Sequence, residues 1–145
     1  MFTHPIDSDN ELIRVAFSNY SKNHFYKKFE KQYKGKRWQL TVDSIVEDIK
    51  HIKREKSKLQ LTQQVDELWY NDHCWIFKYY FKIAGTKISA KASGNRAIIF
   101  LDTRQNRAEI LTIYSKTDLP ENIGEQKWID KTLREYFSGY YAKLL

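Results

Sequence analysis

The stretch 75–116 limits what this chain can fold into more than any other. Three apolar runs rich in β-branched and aromatic residues, 75–83, 97–101 and 108–116, are separated by polar turns. That pattern predicts three strands, the last two forming a hairpin. In the first run Trp75, Phe77, Tyr79, Phe81 and Ile83 share one face, and Ile76, Lys78, Tyr80 and Lys82 share the other. One face reads as core; the opposite face interleaves cations with an aromatic ring. Run 97–101 is apolar on both faces, as a central strand is. Arg96 and Lys116 fall at the ends of apolar runs, where side chains can reach solvent. From His73 to Leu101 there is no acidic residue, yet Lys78, Lys82, Lys87, Lys91 and Arg96 all lie there. Such a sheet end is a candidate polyanion site.

The rest of the chain supplies what covers that sheet. Residues 1–10 are polar with Pro5 and read as a flexible arm; 11–145 read as one domain, large enough to bury a core unaided. Run 12–17 is a short fourth strand. Ser21 reads as the N-cap of a helix through Lys34, with Phe25, Phe29 and Tyr33 on one side and Lys22, Lys27, Lys28, Lys31 and Lys34 on the other. Gly35 sits where a helix-ending glycine belongs. A second helix starts at Trp38 or Thr41 and runs to about Ile52, burying Val42, Ile45, Ile49 and Ile52. Residues 53–58 read as a charged continuation or a loop, and 59–72 as a connection without a clear period. Asn122 with Glu125 resembles a capping box, opening an amphipathic helix that carries Trp128, Ile129, Leu133, Tyr136 and Phe137 and ends before Gly139. The expected fold class is α+β: a helical hairpin packed on a four-stranded, mostly antiparallel sheet, with a C-terminal helix.

A net charge of +7 favours an anionic partner, nucleic acid before acidic protein or membrane. Cys74 is the single cysteine, so no internal disulfide exists and a reducing, cytoplasmic setting is expected. No apolar run approaches membrane-spanning length. Five scattered glycines build no phosphate-cradling loop, and His4, His24, His51 and His73 have no metal-ligand spacing, so neither a cofactor nor a metal is expected. What remains is lysine, arginine and tyrosine. RNA cleavage by its own 2′-OH needs a base, cations to neutralise the phosphorane, and an acid for the 5′ leaving oxygen. Mutual repulsion lowers a clustered lysine's pKa and brings it toward acid–base work. Lys87, Lys91, Arg96 and Lys116, with Tyr80 or Tyr114, are the residues to combine.

Residues 85–100, reading GTKISAKASGNRAIIF, and 110–117, reading ILTIYSKT, resemble the RelE/ParE superfamily of type II toxin–antitoxin toxins. In that family a basic strand or loop leads into Ser-Gly-x-Arg, an apolar strand, a turn, and a last strand ending in Lys or Arg. The order of strand, two helices, three strands and a C-terminal helix is similar across most of the chain. The resemblance implies that Arg96 binds phosphate, that Lys87 and Lys91 help activate the 2′-OH, and that Lys116 is the basic residue ending the last strand. It implies mRNA and the ribosome as targets, with Lys27, Lys28 and Lys31 on ribosomal RNA and mRNA over the Lys78, Tyr80 and Lys82 face. A small acidic antitoxin is the implied protein partner. A ParE-like gyrase inhibitor, or an inactive nucleic-acid-binding domain, would share the fold. Ser89 stands where some members have a second catalytic lysine, and no tyrosine follows Lys116 in the place some members use. The segment 53–72 is longer than a compact toxin needs.

Overall fold

The computed structural model describes residues 12–140, so the arm expected at 1–10 lies outside the described residues. The elements in order are β1 (Arg14–Phe17), α1 (Asn19–Asn23), α2 (Phe25–Gln32), α3 (Lys36–Lys50), α4 (Ile52–Leu61), β2 (Val65–Asn71), β3 (Cys74–Phe81), β4 (Asn95–Asp102), β5 (Arg107–Ser115), a 3₁₀ turn (Lys116–Asp118) and α5 (Glu125–Tyr136). The sheet has five strands, ordered β1-β5-β4-β3-β2; β1 runs parallel to β5 and every other pair is antiparallel.

The α+β class and the three central strands stand as expected, whereas the strand count does not. β2 forms a hairpin with β3, pairing Val65 with Tyr79 and Asn71 with Cys74. A bulge between Glu67 and Trp69 shifts its register. Val65 therefore packs with one face of the sheet, while Leu68 and Trp69 both pack with the other. An extra residue in a strand breaks period-two alternation, which is why 59–72 reads as patternless.

Helices cover both sheet faces. On one face Phe29, Trp38, Val42, Ile45, Ile49 and Leu59 pack over Phe77, Tyr79, Phe81, Ile99 and Ile110. Phe29 and Trp38 stack with ring centroids 5.0 Å apart, 4° from parallel. On the other face α5 sets Trp128, Ile129 and Leu133 against Ile76, Ile98, Phe100, Leu111 and Tyr114. Burying side chains of this size stabilises by about 1.5–3 kcal/mol each. The whole of β4 is buried, as a strand between two helical layers must be.

Helix boundaries differ from the sequence reading in four places. The first helix is two: Ser18, not Ser21, caps α1 by accepting from the Ser21 N–H at 3.0 Å, and the chain breaks at His24 before α2. The second starts at Lys36, directly after Gly35, whose φ of 73° turns the chain between the helices. Residues 52–61 continue as α4 and bury Leu59. The Asn122–Glu125 capping box does not form: Gly124 is the N-cap and Glu125 is the first helical residue. Its carboxylate points elsewhere.

Candidate nucleic-acid site

The sheet register fixes the site. Tyr80 on β3 pairs with Arg96 on β4, and Arg96 pairs with Tyr114 on β5. These three side chains line one end of the α5-covered face, where the first turn of α5 brings Glu125. Arg96 Nε lies 2.8 Å from Glu125 Oε2, and the same oxygen accepts from Tyr114 Oη at 2.8 Å. Lys78 Nζ approaches Glu125 Oε1 at 3.5 Å. The guanidinium sits 5.0 Å from the Tyr80 ring centroid, with Lys78 and Lys91 Nζ at 5.7 and 5.8 Å. Tyr80 Oη donates to Asp66 Oδ2 on β2 at 2.5 Å. Three cations thus gather around one ring, and Glu125 is the counter-charge for two of them, Arg96 and Lys78.

Arg96 is the most enclosed of the three. The residue is only 7% exposed, contrary to the expectation that it reaches solvent freely from a strand end, because α5 and Tyr80 close over it. Its Nε has a charge partner in Glu125, but the N–H is not aligned on that oxygen as a hydrogen bond. Its Nη1 is buried without a hydrogen-bond partner among the described residues. A Cβ placed on Gly94 would come 3.9 Å from Nη1 and 3.9 Å from Lys116 Cβ, so the orphan donor faces the Gly94–Lys116 corner. A buried guanidinium N–H left unpaired costs free energy that an anion recovers.

The loop 82–94 is anchored around this corner. Arg37 Nε donates to the Ala84 carbonyl at 3.2 Å, and Thr41 Oγ1 accepts from the Ala84 N–H at 2.8 Å. Gly94 takes a φ of 82°, and its carbonyl accepts from the Lys116 N–H at 2.7 Å. Ser93 Oγ lies 2.6 Å from both the Phe81 and Ala90 carbonyl oxygens. On this frame Lys82, Lys87 and Lys91 are exposed, and Lys116 is exposed across from Gly94.

The expected site residues therefore divide. Lys78, Tyr80, Lys91, Arg96 and Tyr114 come together, with Lys116 adjoining through Gly94. Tyr114 has no exposure and reaches the cluster only through Glu125, so a substrate does not touch it. Lys78 and Tyr80 are not on an open face, because α5 and β2 cover it; the Lys78 side chain is 12% exposed and Tyr80 is 4% exposed. Lys27, Lys28 and Lys31 are exposed on α2, where Lys28 Nζ pairs with Asp118 Oδ1 at 2.5 Å. That pair draws the α2 stripe toward the Lys116 turn. Neither Glu125 nor Asp66 is among the site residues expected from the sequence. The capping-box pattern marked Glu125 as notable but assigned it the wrong partner.

Burial acts on the phenols. Tyr80 is pushed up to about 12, first by desolvation and then by its hydrogen bond to Asp66, against the pull of Arg96. Burial raises Tyr114 further, reinforced by Glu125, and raises Tyr79, whose hydroxyl donates to Asp48. All three stay neutral while an unfolded tyrosine ionises near pH 10, so their stabilisation is intact below that pH. It is lost as pH rises toward and through the folded values, with Tyr80 first at about 12. Phenolate absorbance followed alongside denaturant unfolding should show stability declining only above about pH 10, with part of the tyrosine signal delayed. A single transition of all ten tyrosines near pH 10 would contradict the burial of Tyr79, Tyr80 and Tyr114.

Among the described residues no three His, Cys, Asp or Glu side chains come together as a metal site, and no helix is long and apolar enough to cross a membrane. Fold and site together define an α+β domain with a cation–aromatic cluster at one sheet end. No protein-family model and no curated protein matches the sequence. Among solved structures, the chain is similar to one in the archaeal RelE–RelB complex from Pyrococcus horikoshii OT3, with a TM-score of 0.46 and 11% identity, over 74% of this chain and 99% of that one.

Proposed function

We propose that this chain is a RelE-like toxin, an endoribonuclease that cleaves mRNA in the ribosomal A site without a metal and is neutralised by a small acidic antitoxin. One observation carries the reading: a buried arginine, held at Nε by Glu125, with Nη1 unpartnered and facing a glycine corner beside Lys116. A phosphate oxygen there would give Nη1 the acceptor it lacks, and Lys116 and Lys91 would share its charge. In the step proposed, Lys87 or Lys91 takes the 2′-OH proton and the 2′ oxygen attacks the adjacent phosphorus. The bond to O5′ then breaks, and a second lysine protonates that oxygen, giving a cyclic phosphate and a 5′-OH. Arg96 and Lys116 neutralise the added charge on the non-bridging oxygens.

A second reading has a specific basis. Tyr80 and Tyr114 both donate to carboxylates, so neither serves as a base, and proton transfer rests on exposed lysines alone. A ParE-like gyrase inhibitor or an inactive RNA-binding domain would use the same cations without breaking a bond. Induced expression followed by primer extension on a reporter mRNA tests the leading reading; gyrase-dependent DNA damage with intact mRNA would replace it. Binding of single-stranded RNA should weaken by roughly 0.7 log units per log unit of salt for each phosphate contacted. A flat salt dependence, measured by fluorescence anisotropy, would remove the cluster as a phosphate site.

A further inference from the structure

A groove of about 480 Å³ lies between the turn Thr62–Gln64 and loop residues 89–92. Lys91 links it to the Arg96 cluster, since its Nζ is 3.4 Å from Gln63 Oε1 and 5.8 Å from the Tyr80 ring over which Arg96 sits. Both walls are built from fixed turns. On one side the Gln63 N–H donates to the Gln60 carbonyl at 3.0 Å, and the Gln64 N–H to the Leu59 carbonyl at 2.7 Å, which is the Schellman closure of α4. On the other, the Ser93 N–H donates to the Ser89 carbonyl at 3.0 Å. The Gln64 carbonyl also accepts from the Tyr80 N–H at 2.9 Å, so the first wall is tied to the strand that carries the cluster.

The Schellman closure places Gln63 at the position glycine normally fills, and its φ is 59°. A long side chain held in left-handed backbone is strained, and strain of this kind concentrates where a side chain is used. The Gln63 amide stands exposed at the groove, carrying a donor and an acceptor on one plane. That pairing matches the hydrogen-bonding edge of a nucleobase, and unstacked bases in single-stranded RNA are read in this way.

Building on the RNA reading above, we infer that this groove holds the base of a nucleotide adjoining the phosphate at Arg96, and that Gln63 reads its edge. Arg96 and Lys116 set where the backbone lies; Gln63 sets which base sits beside it. The α4–β2 segment, which carries Gln63, is thus a wall of the site as well as a linker.

The test uses the full chain and short fluorescein-labelled oligoribonucleotides of adenosine, cytidine or uridine alone, with binding followed by anisotropy. Wild type should separate the best from the worst by about fivefold or more, as one base-edge hydrogen-bond pair does. Gln63→Gly should bring all three within about twofold of one another, with an unchanged salt slope, because the phosphate contacts remain. The same variant should melt no lower than wild type, since glycine relieves the left-handed strain. Gln63→Ala, which keeps the strain and loses the amide, should show the same flattening. A preserved ranking in both variants, or equal binding of all three by wild type, would overturn the base-reading groove while leaving the phosphate site intact. No binding of any oligonucleotide by wild type at low salt would overturn the RNA reading and the groove with it.

Discussion

Arg96→Lys should lose mRNA cleavage by about a hundredfold or more, the typical loss of a preorganised donor to a developing charge, on the order of 3–4 kcal/mol. The reason is geometric. The guanidinium works at two ends at once: Nε faces Glu125 while Nη1 faces the Gly94 corner. A lysine ammonium is a point charge and can serve one of those ends only. The pair with Glu125 is the one it should keep, so the protein stays folded and the phosphate contact is lost. Arg96→Ala should lose activity as well, but with a stability cost, because Glu125 would keep only Lys78, at 3.5 Å, as a counter-charge beside the neutral Tyr114 hydroxyl. Lysine is therefore the cleaner variant. Lys27→Ala, on the exposed face of α2, should weaken ribosome binding only slightly. Primer extension after induced expression reads the cleavage, with circular dichroism as the folding control. Wild-type cleavage by a folded Arg96→Lys protein would sink the proposed site.

The legible parts of this fold were those where one rule acts alone. The alternation in 75–83 sorted Phe77, Tyr79 and Phe81 from Ile76 and Tyr80 correctly, because strand faces follow period two without exception between bulges. It did not show that α5 would cover the second face, since amphipathic helices do not announce which surface they choose. That choice turned Lys78 and Tyr80 from an expected open surface into a half-closed cluster. The α4–β2 segment failed for a different reason. Its bulge put Leu68 and Trp69 on one face, erasing the signal that identifies a strand. The break at His24 was hidden because Phe25 and Phe29 keep helical spacing on their own; Tyr20 stacks on His24 at 3.8 Å and packs against Phe137 in the second core instead. Charge and motif singled out Arg96 and Lys91 as candidates. The carboxylates of the cluster were not singled out, because Asp66 and Glu125 lie 30 and 29 residues from Arg96 in the chain and reach Tyr80 and Arg96 only through sheet register and helix docking.

Glu125→Ala should destabilise the protein by about 3 kcal/mol, the low end of what breaking a buried ion pair costs, since the carboxylate keeps some solvent contact. The loss has identifiable parts. Arg96 and Lys78 lose their shared counter-charge, the buried Tyr114 hydroxyl loses its acceptor, and α5 loses the negative charge in its first turn. Glu125→Gln keeps an acceptor for Tyr114 and the side-chain volume, so it should cost less, roughly 1–2 kcal/mol. Both should move RNA affinity and cleavage in opposite directions. Removing a negative charge from the cluster raises its positive potential, so RNA should bind more tightly at low salt. Without Glu125 at Nε the guanidinium is no longer fixed toward the Gly94 corner, so cleavage should fall. Urea denaturation, anisotropy and primer extension on the same preparations separate these effects. If Glu125→Ala matched wild type in stability, the carboxylate would not be holding the cluster together. If affinity and cleavage fell in step, Glu125 would be touching the RNA and not merely orienting Arg96.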